Sequence, residues 1–578
     1  MIQATTLPEL FQKAAATYGD KTAYIWRPGF RALKYSFADM GRMSRQVAHL
    51  LDLHGVGKGD RVIIWALNSP FWVAAFQGCQ LKGAVAVPLM VQNTQEFVKR
   101  IAEFTEAKLL LRSSHLKPGD IATPMINIED TLMAGDIPET FTRVDVVAND
   151  VAQILFTSGT TGAPKGVMHK HSNLLANAHD IYALNILRSD DHLMSYLPLA
   201  HVFEQILSLF ACPGAGVTVT QASSLSGLHI RLCMMEDRPT IMTSVPEFLR
   251  LTIERIEGKA DEEGRLDKIQ KLYHLAPKLP IWLRRKLAKP ILSRLGGRMR
   301  LIVTGGSALE PVVGDKWEAF GVIILQGYGA TETSPVITVN RVRGRKTSSV
   351  GLPMPSVEVK IADDGEILAK GPNVTDGYYK RPEETAERFR GGWYYTDDLG
   401  EIDADGHQHI KGRKKFLIVT HSGENVYPED VENELQKEPQ VKSAAVLAWK
   451  PEGRFEIHAV LLPKPPDTIA NAQEIIERVN QRLQPHQRIQ GVSVWDGDDL
   501  PRTVTRKVKK NEVLAWLEAA AGRGSVRKVL VPVGAIERAI AQATGIPAEE
   551  ITPDKRLEAD LKMDSLGRVT LAGILEEE

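Results

Sequence analysis

From Asp60 to about Gly412, short β-rich runs alternate with longer helical patterns, and this alternation constrains the fold more than any other feature of the chain. The runs include Arg61–Trp65, Gln153–Phe156, Val217–Val219, Met299–Val303 and Val322–Leu325. Parallel strands need a crossover long enough to hold a helix, so this texture predicts parallel sheets covered by helices. The 578 residues leave room for three or four domains at about 150 residues each. Lys plus Arg number 71, and so do Asp plus Glu. With no net charge there is no global field to draw the chain onto nucleic acid or an anionic membrane, and any such attraction has to come from a local patch. No nucleic-acid partner is expected.

After Gly412 the texture changes. Phe416–Val419 reads as a strand, Pro428–Gln436 as a helix with Pro in its first turn, and Ala444–Ala448 as another strand. The expected fold class is therefore α/β. A large domain of parallel and mixed sheets with helices spans 1–412, and a small α+β lobe spans 413–520. Residues 521–532 (AGRGSVRKVLVP) have the small and basic character of a linker, and 533–578 begin a helical unit.

Met1–Asp20 lacks the basic start and apolar core of a signal peptide and reads as a short amphipathic helix carrying Leu7, Leu10, Phe11, Ala14 and Ala15. The most apolar run, Val62–Phe76, is interrupted by Asn68, Ser69 and Pro70 and falls short of the roughly 20 residues a spanning helix needs. A cytoplasmic protein is expected. Cys79, Cys212 and Cys233 lie far apart among apolar neighbours, which predicts buried reduced thiols rather than disulfides or a zinc site. Lys268–Arg300 holds ten basic residues and no acidic one, interleaved with Ile281, Trp282, Leu283 and Leu287, which makes it a candidate for peripheral contact with a membrane surface.

Three groups of residues carry chemistry. In Leu155–Val167 (LFTSGTTGAPKGV) a strand runs into Ser, Thr and Gly before a single Lys. Hydroxyls and unhindered amides can wrap phosphate oxygens there, and Lys165 can neutralise them. The spacing is not that of a Walker A loop. In Gln326–Pro335 (QGYGATETSP) Gly327 and Gly329 allow close approach of a ligand, Tyr328 offers a stacking face, Thr331 a hydroxyl, and Glu332 a hard oxygen suited to Mg²⁺. The third group is YTDDLG (395–400), GRKK (412–415) and TVTRK (503–507). Here Asp398 can take ribose hydroxyls, Arg413 can back it, and Lys507 can pair with anionic oxygens.

Taken in order, TSGTTGAPKG, LPLAH, GGSAL, GYGATET, GYY, YTDDLG, GRKK, SGENVYPEDVE and PRTVTRK resemble the motifs of the adenylate-forming superfamily. Within it the chain looks most like long-chain fatty acyl-CoA synthetases. The resemblance implies an enzyme that uses ATP and Mg²⁺ to make acyl-AMP from a fatty acid, releases pyrophosphate, and passes the acyl group to a pantetheine thiol, with CoA as acceptor. It implies that Thr157, Ser158, Gly159, Thr160, Thr161, Gly162 and Lys165 close over the ATP phosphates. Thr331 would contact phosphate, Glu332 bind Mg²⁺, and Tyr328, beside Gly329, lie on adenine. Gly305, Gly306 and Ser307 match the adenine and acyl-pocket wall, and His201 a gate near the acyl pocket. Asp398 and Arg413 match the ribose clamp, Lys415 the hinge on which a mobile small lobe swings, and Gly423 the thiol channel. Lys507 matches the lysine between substrate carboxylate and α-phosphate. Three positions depart from the pattern: Asp397 and Arg506 stand where Gly is usual, and Phe416 where an acidic residue is frequent.

Leu557–Leu571 (LEADLKMDSLGRVTL) resembles an acyl carrier protein motif in which Ser565 receives 4′-phosphopantetheine. The sequence stops 13 residues after Ser565, so a truncated carrier or a piece of a longer protein is expected. The carrier leaves open a second acceptor, its own arm or that of another carrier, in place of CoA. A non-catalytic scaffold that holds a nucleotide and an acyl group is the reading of another class.

Overall fold

The computed structural model describes residues 1–29, 31–117, 119–157, 165–224, 226–420, 425–449, 456–464, 472–502, 508–522 and 529–530. The chain divides into two units: 1–396 with 400–410, and 397–399 with the residues from 411 onward.

The first unit is built on two large sheets. One has six strands in the order Met125–Asn127, Leu109–Arg112, Arg61–Trp65, Val85–Leu89, Val151–Thr157, Lys165–Lys170. All its pairings are parallel except the last. The other has nine, in the order Leu352–Pro353, Thr338–Val339, Ile323–Tyr328, Leu301–Thr304, Ile241–Ser244, His192–Ser195, Thr218–Ala222, Thr22–Arg27, Leu33–Ser36. The six strands from Ile323–Tyr328 to Thr22–Arg27 run parallel, as the alternating texture requires. A single apolar core joins the two sheets, with Ile64, Leu111 and Leu155 of one and Leu193, Val219 and Leu325 of the other. The helix Pro70–Leu81 belongs to this core and is buried along its whole length, which accounts for its having no polar face. The polar interruption before it has a local cause. Ser69 caps the helix, its Oγ accepting from the Trp72 N–H at 3.1 Å, and Pro70 takes the first turn, where its missing N–H costs nothing.

The N-terminal helix, Leu7–Tyr18, buries Leu7, Leu10, Phe11 and Ala14, and all three cysteines are buried as free thiols. Lys268–Arg300 forms the end of the helix Leu266–Leu275 and the helices Ile281–Leu287 and Lys289–Ser293. No helix among the described residues is long and apolar enough to cross a membrane.

In the second unit a four-stranded sheet has the order Val441–Trp449, Glu456–Pro463, Gly491–Val494, Val529–Leu530. Its side chains alternate between two faces. Ala444 and Val446 pack with Val431, Leu435 and Ile476 of the helices Pro428–Gln436 and Ala472–Asn480. Ala445 and Leu447 pack with Val513 and Leu517 of Lys510–Gly522. Two expectations change here. Phe416–Val419 is a strand only at Ile418–Val419, because a tight 3₁₀ turn occupies Lys414–Phe416. The expected linker 521–532 carries a strand at Val529–Leu530, where β-favouring residues pair with Val492 and Gly491.

Among the described residues of the small lobe, a buried cation meets two carboxylates. Lys510 is 7% exposed, and its Nζ lies 2.8 Å from Glu432 and 3.3 Å from Glu429. Lys510→Met leaves Glu432 buried without its counter-charge, so we expect a loss of about 3–5 kcal/mol in the lobe's stability, read as a lower urea midpoint.

Candidate active site

The register of the edge hairpin sets the first pair of groups. Thr157 stands directly opposite Lys165, so a hydroxyl and an ammonium share one face at the mouth of the loop that joins them. The Lys165 Nζ lies 5.3 Å from the centre of the Tyr378 ring. Ser158, Gly159, Thr160, Thr161 and Gly162 lie outside the described residues.

The second set follows from two parallel strands. Thr304 pairs with Gln326, so Gly305, Gly306 and Ser307 leave the sheet beside Gly327, Tyr328 and Gly329, at the carboxyl ends of the strands where open α/β sheets place their ligands. The approach is close: a Cβ on Gly305 would lie 3.1 Å from the Gly327 carbonyl oxygen and 3.7 Å from the Phe203 ring. Phe203 stands two residues after His201, which precedes the helix Val202–Gln205. Burial lowers the His201 pKa, and its Nε2 has no hydrogen-bond partner among the described residues. Asn68 fixes the loop leading to His201, donating to the Leu197 carbonyl at 2.7 Å and accepting from the Leu199 N–H at 3.0 Å.

The loop that carries Thr331 and Glu332 is fastened through its backbone. A Cβ on Gly329 would stand 1.9 Å from the Pro335 carbonyl oxygen, so only glycine fits there. The His169 Nε2–H donates to the Thr331 carbonyl at 2.7 Å, and the amides of Asn177 and Asn373 both donate to the Thr333 carbonyl at 2.9 Å. The Thr375 N–H donates to the Glu332 carbonyl at 2.9 Å. The Tyr378 hydroxyl donates to Glu332 Oε1 at 2.8 Å, while Oε2 has no partner among the described residues. Tyr378 itself is tied to the hairpin, pairing with Val167 next to the 2.7 Å bond from the Tyr379 N–H to the Gly166 carbonyl. One aromatic residue thus touches both predicted phosphate-binding segments. A half-buried carboxylate with one oxygen held and the other open suits a hard divalent cation, and a nearby ammonium and hydroxyl suit phosphate oxygens.

In the second unit the Arg413 Nε–H donates to Asp398 Oδ1 at 2.9 Å, joining the two residues predicted as a ribose clamp. Asp397 has φ +63°, a left-handed conformation that glycine takes freely and that aspartate, among other residues, tolerates comparatively well. Lys415 Nζ lies 4.7 Å and Lys510 Nζ 5.5 Å from the centre of the Phe416 ring, so this aromatic ring meets two cations where an acidic residue was anticipated. Gly423, Lys507 and Ser565 lie outside the described residues.

No sequence motif marks His169, Asn177 or Asn373, and Tyr378 is marked only as part of GYY. The signal for His169 was weak: a histidine on a strand at a position that alternation turns inward. Burial holds its pKa down to about 4, against the ordinary 6.5. Protonation therefore favours the unfolded chain, and the contribution of His169 to stability is complete above pH 6.5 and lost as the pH falls through about 4. Urea midpoints measured from pH 7 down to pH 4 should fall, and His169→Gln, which keeps an N–H donor without a titrating ring, should make the fall shallower.

A profile of the AMP-binding enzymes matches residues 11–379, and a profile of the phosphopantetheine attachment site matches 534–578. The chain is 31% identical over 439 residues to the long-chain-fatty-acid–CoA ligase FadD15 of Mycobacterium bovis, a match covering 68% of this chain and 72% of that protein. It is 28% identical over 526 residues to a feruloyl-CoA synthase of Amycolatopsis sp., covering 84% of this chain and 94% of that protein. Its fold is similar to that of ATP-bound MatB from Rhodopseudomonas palustris, with a TM-score of 0.75 and 27% identity over 89% of this chain and 99% of that one. With Thr157, Lys165, Glu332 and the glycine-lined strand ends gathered at one end of its sheets, the chain belongs to the AMP-binding, adenylate-forming enzymes and carries a phosphopantetheine attachment site near its C-terminus.

Proposed function

We propose that the protein is an ATP-dependent long-chain fatty acid ligase that forms acyl-AMP and then a thioester, with CoA as the principal acceptor. The observation that carries this reading is the Tyr378 bridge, which sets Glu332 and Lys165 beside one another in a chain similar to FadD15. A carboxylate is a poor electrophile because it is already anionic and would have to expel oxide. Joining it to the α-phosphate of ATP supplies AMP as leaving group, with pyrophosphate released. That step brings anions together, so preorganised cations and donors must offset the charge as it develops.

Thr157, Ser158, Gly159, Thr160, Thr161, Gly162 and Lys165 hold the phosphates in this reading, and Thr331 adds a hydroxyl. Glu332 would hold Mg²⁺, which when bound supplies charge neutralisation at the phosphates. Tyr328 and Gly329 flank the adenine with Gly305, Gly306 and Ser307, while Asp398 and Arg413 take the ribose. Lys507 neutralises the charge shared by carboxylate and α-phosphate. The lobe 413–520 turns on Lys415 between the two half-reactions, bringing Gly423 to the thiol, and His201 stands near the acyl group.

The match to a phosphopantetheine attachment site at 534–578 favours a second acceptor, an arm on Ser565. An arm carried on the same chain would meet the acyl-AMP intramolecularly, which raises its effective concentration and lets it compete with modest free CoA.

Incubation with ATP, Mg²⁺, CoA and saturated fatty acids of graded length should yield acyl-CoA and AMP. After treatment with a phosphopantetheinyl transferase and omission of CoA, an acyl mass should appear on the intact chain if Ser565 is also served. Conversion of aromatic acids such as ferulate with no fatty acid accepted would overturn the fatty-acid assignment. In the same assay Tyr378→Phe removes the bond that orients Glu332, and a loss of about 1.5–3 kcal/mol corresponds to roughly ten- to a hundredfold in rate.

A further inference from the structure

The short helix Val202–Gln205 sends three successive side chains in different directions. Phe203 reaches the glycine-lined strand ends, where a Cβ on Gly305 would lie 3.7 Å from its ring. Gln205 holds the six-stranded sheet, its Oε1 accepting at 2.8 Å from Gln153 Nε2 on the strand that leads to Thr157. Its own Nε2 donates to the Leu199 carbonyl at 2.8 Å, in the loop before His201. Between them, Glu204 turns to the nine-stranded sheet, where its Oε2 accepts from the Thr243 hydroxyl at 2.6 Å. None of the roles assigned above belongs to Glu204.

The carboxyl of Glu204 is fully buried. Among the described residues its Oε1 has no hydrogen-bond partner and no cation pairs with it. The surroundings are polar but uncharged. Ser195 and Gln221, both fully buried, stand opposite one another on adjacent strands of the same sheet, and Ser208 Oγ donates to the Glu204 carbonyl at 2.6 Å. The titratable groups near it are Tyr196 and Cys212, whose pKa values burial pushes up, and His201, whose pKa burial lowers, so all three stay neutral at ordinary pH. An ionised carboxylate here would meet one hydroxyl and no counter-charge, whereas the uncharged acid loses far less by burial. Burial accordingly pushes the Glu204 pKa up to about 7. Immediately after it the chain widens into a π-helical stretch, Ile206–Ala211, a form that recurs at functional sites.

We propose that Glu204 is a positioning residue for the organic acid: as an uncharged group seated on Thr243, it fixes the helix Val202–Gln205 so that Phe203 stands against Gly305 and His201 beside it. This rests on the adenylation reading above and deepens it by naming a group that sets affinity for the acid. The proton on Glu204 keeps the seat intact. As the pH rises through about 7 the carboxyl ionises, the charge finds no partner in its layer, and the helix loses its anchor.

Pyrophosphate exchange is measured on the full chain with a panel of fatty and aromatic acids between about pH 6 and about pH 9, and KM is read separately for the acid and for ATP. In the wild type the KM for the acid should rise as the pH passes about 7, with kcat and the KM for ATP little changed. Glu204→Gln keeps an oxygen for Thr243 and never ionises, so it should match the wild type at the acid end and flatten the profile. Glu204→Ala should raise the KM for the acid about tenfold at every pH, the equivalent of one buried hydrogen bond. Where the alanine variant proves too unstable to assay, the glutamine variant carries the test. Exchange with aromatic acids alone would displace the fatty-acid reading and leave these comparisons valid, since each variant is compared on the same acid. If no acid supports exchange, the adenylation reading falls, and the seat is still read from stability. The raised pKa makes the contribution of Glu204 complete below pH 4.5 and lost as the pH rises through about 7, so the wild-type urea midpoint should fall over that range relative to Glu204→Gln. A Glu204→Gln profile as steep as the wild type's, an unchanged KM for the acid in Glu204→Ala, an equal rise in the KM for ATP, or urea midpoints that run parallel in wild type and Glu204→Gln would overturn the proposal.

Discussion

The loop bearing Glu332 is held by hydrogen bonds to its own carbonyls, and the rest of the nucleotide end depends on that fastening. His169, Asn177, Asn373 and the Thr375 amide donate to the carbonyls of Thr331, Thr333 and Glu332. Each such acceptor left bare in a buried setting would cost about 1–3 kcal/mol, so the loop has little freedom to leave its position. His169 belongs to the six-stranded sheet and the loop follows a strand of the nine-stranded one, so the same bonds tie the two sheets together at the site. Groups fixed in this way need not reorganise when charge develops on a substrate, which is where preorganised polar sites derive most of their effect.

Much of this was legible in the sequence, for identifiable reasons. Parallel α/β architecture followed from alternation alone, and the helix Pro428–Gln436 from its proline and its periodicity. Thr157, Lys165, Glu332 and the glycines of the strand ends could be nominated because the order of their motifs along the chain resembles that of the adenylate-forming superfamily. The fastening residues could not. His169, Asn177 and Asn373 are far from the loop in sequence, and their roles depend on a tertiary approach that no local pattern announces. Tyr378 lay inside a motif already noticed, yet its reach to Glu332 is likewise a tertiary fact.

Two of the three departures from the family pattern, Asp397 and Phe416, have local explanations, while Arg506 lies outside the described residues. Asp397 occupies a left-handed backbone position, which accounts both for the usual glycine and for the tolerance of a short polar side chain. Phe416 lies between Lys415 and Lys510, so the π face of its ring takes up the cationic company that an acidic residue would keep. Lys510 itself meets Glu429 and Glu432 on the helix Pro428–Gln436. The expected strand Phe416–Val419 is shortened to Ile418–Val419 because its first residue closes the 3₁₀ turn Lys414–Phe416.

The central claim is that nucleotide and organic acid react reversibly at the α-phosphate before any thiol takes part. Its most direct measurement is the exchange of labelled pyrophosphate into ATP in the absence of CoA, with and without a fatty acid. The account predicts exchange that requires both Mg²⁺ and the acid, and that falls by two to three decades, about 2.7–4 kcal/mol, in Lys507→Ala. Exchange that proceeds without any acid, or that survives undiminished in that variant, would contradict it.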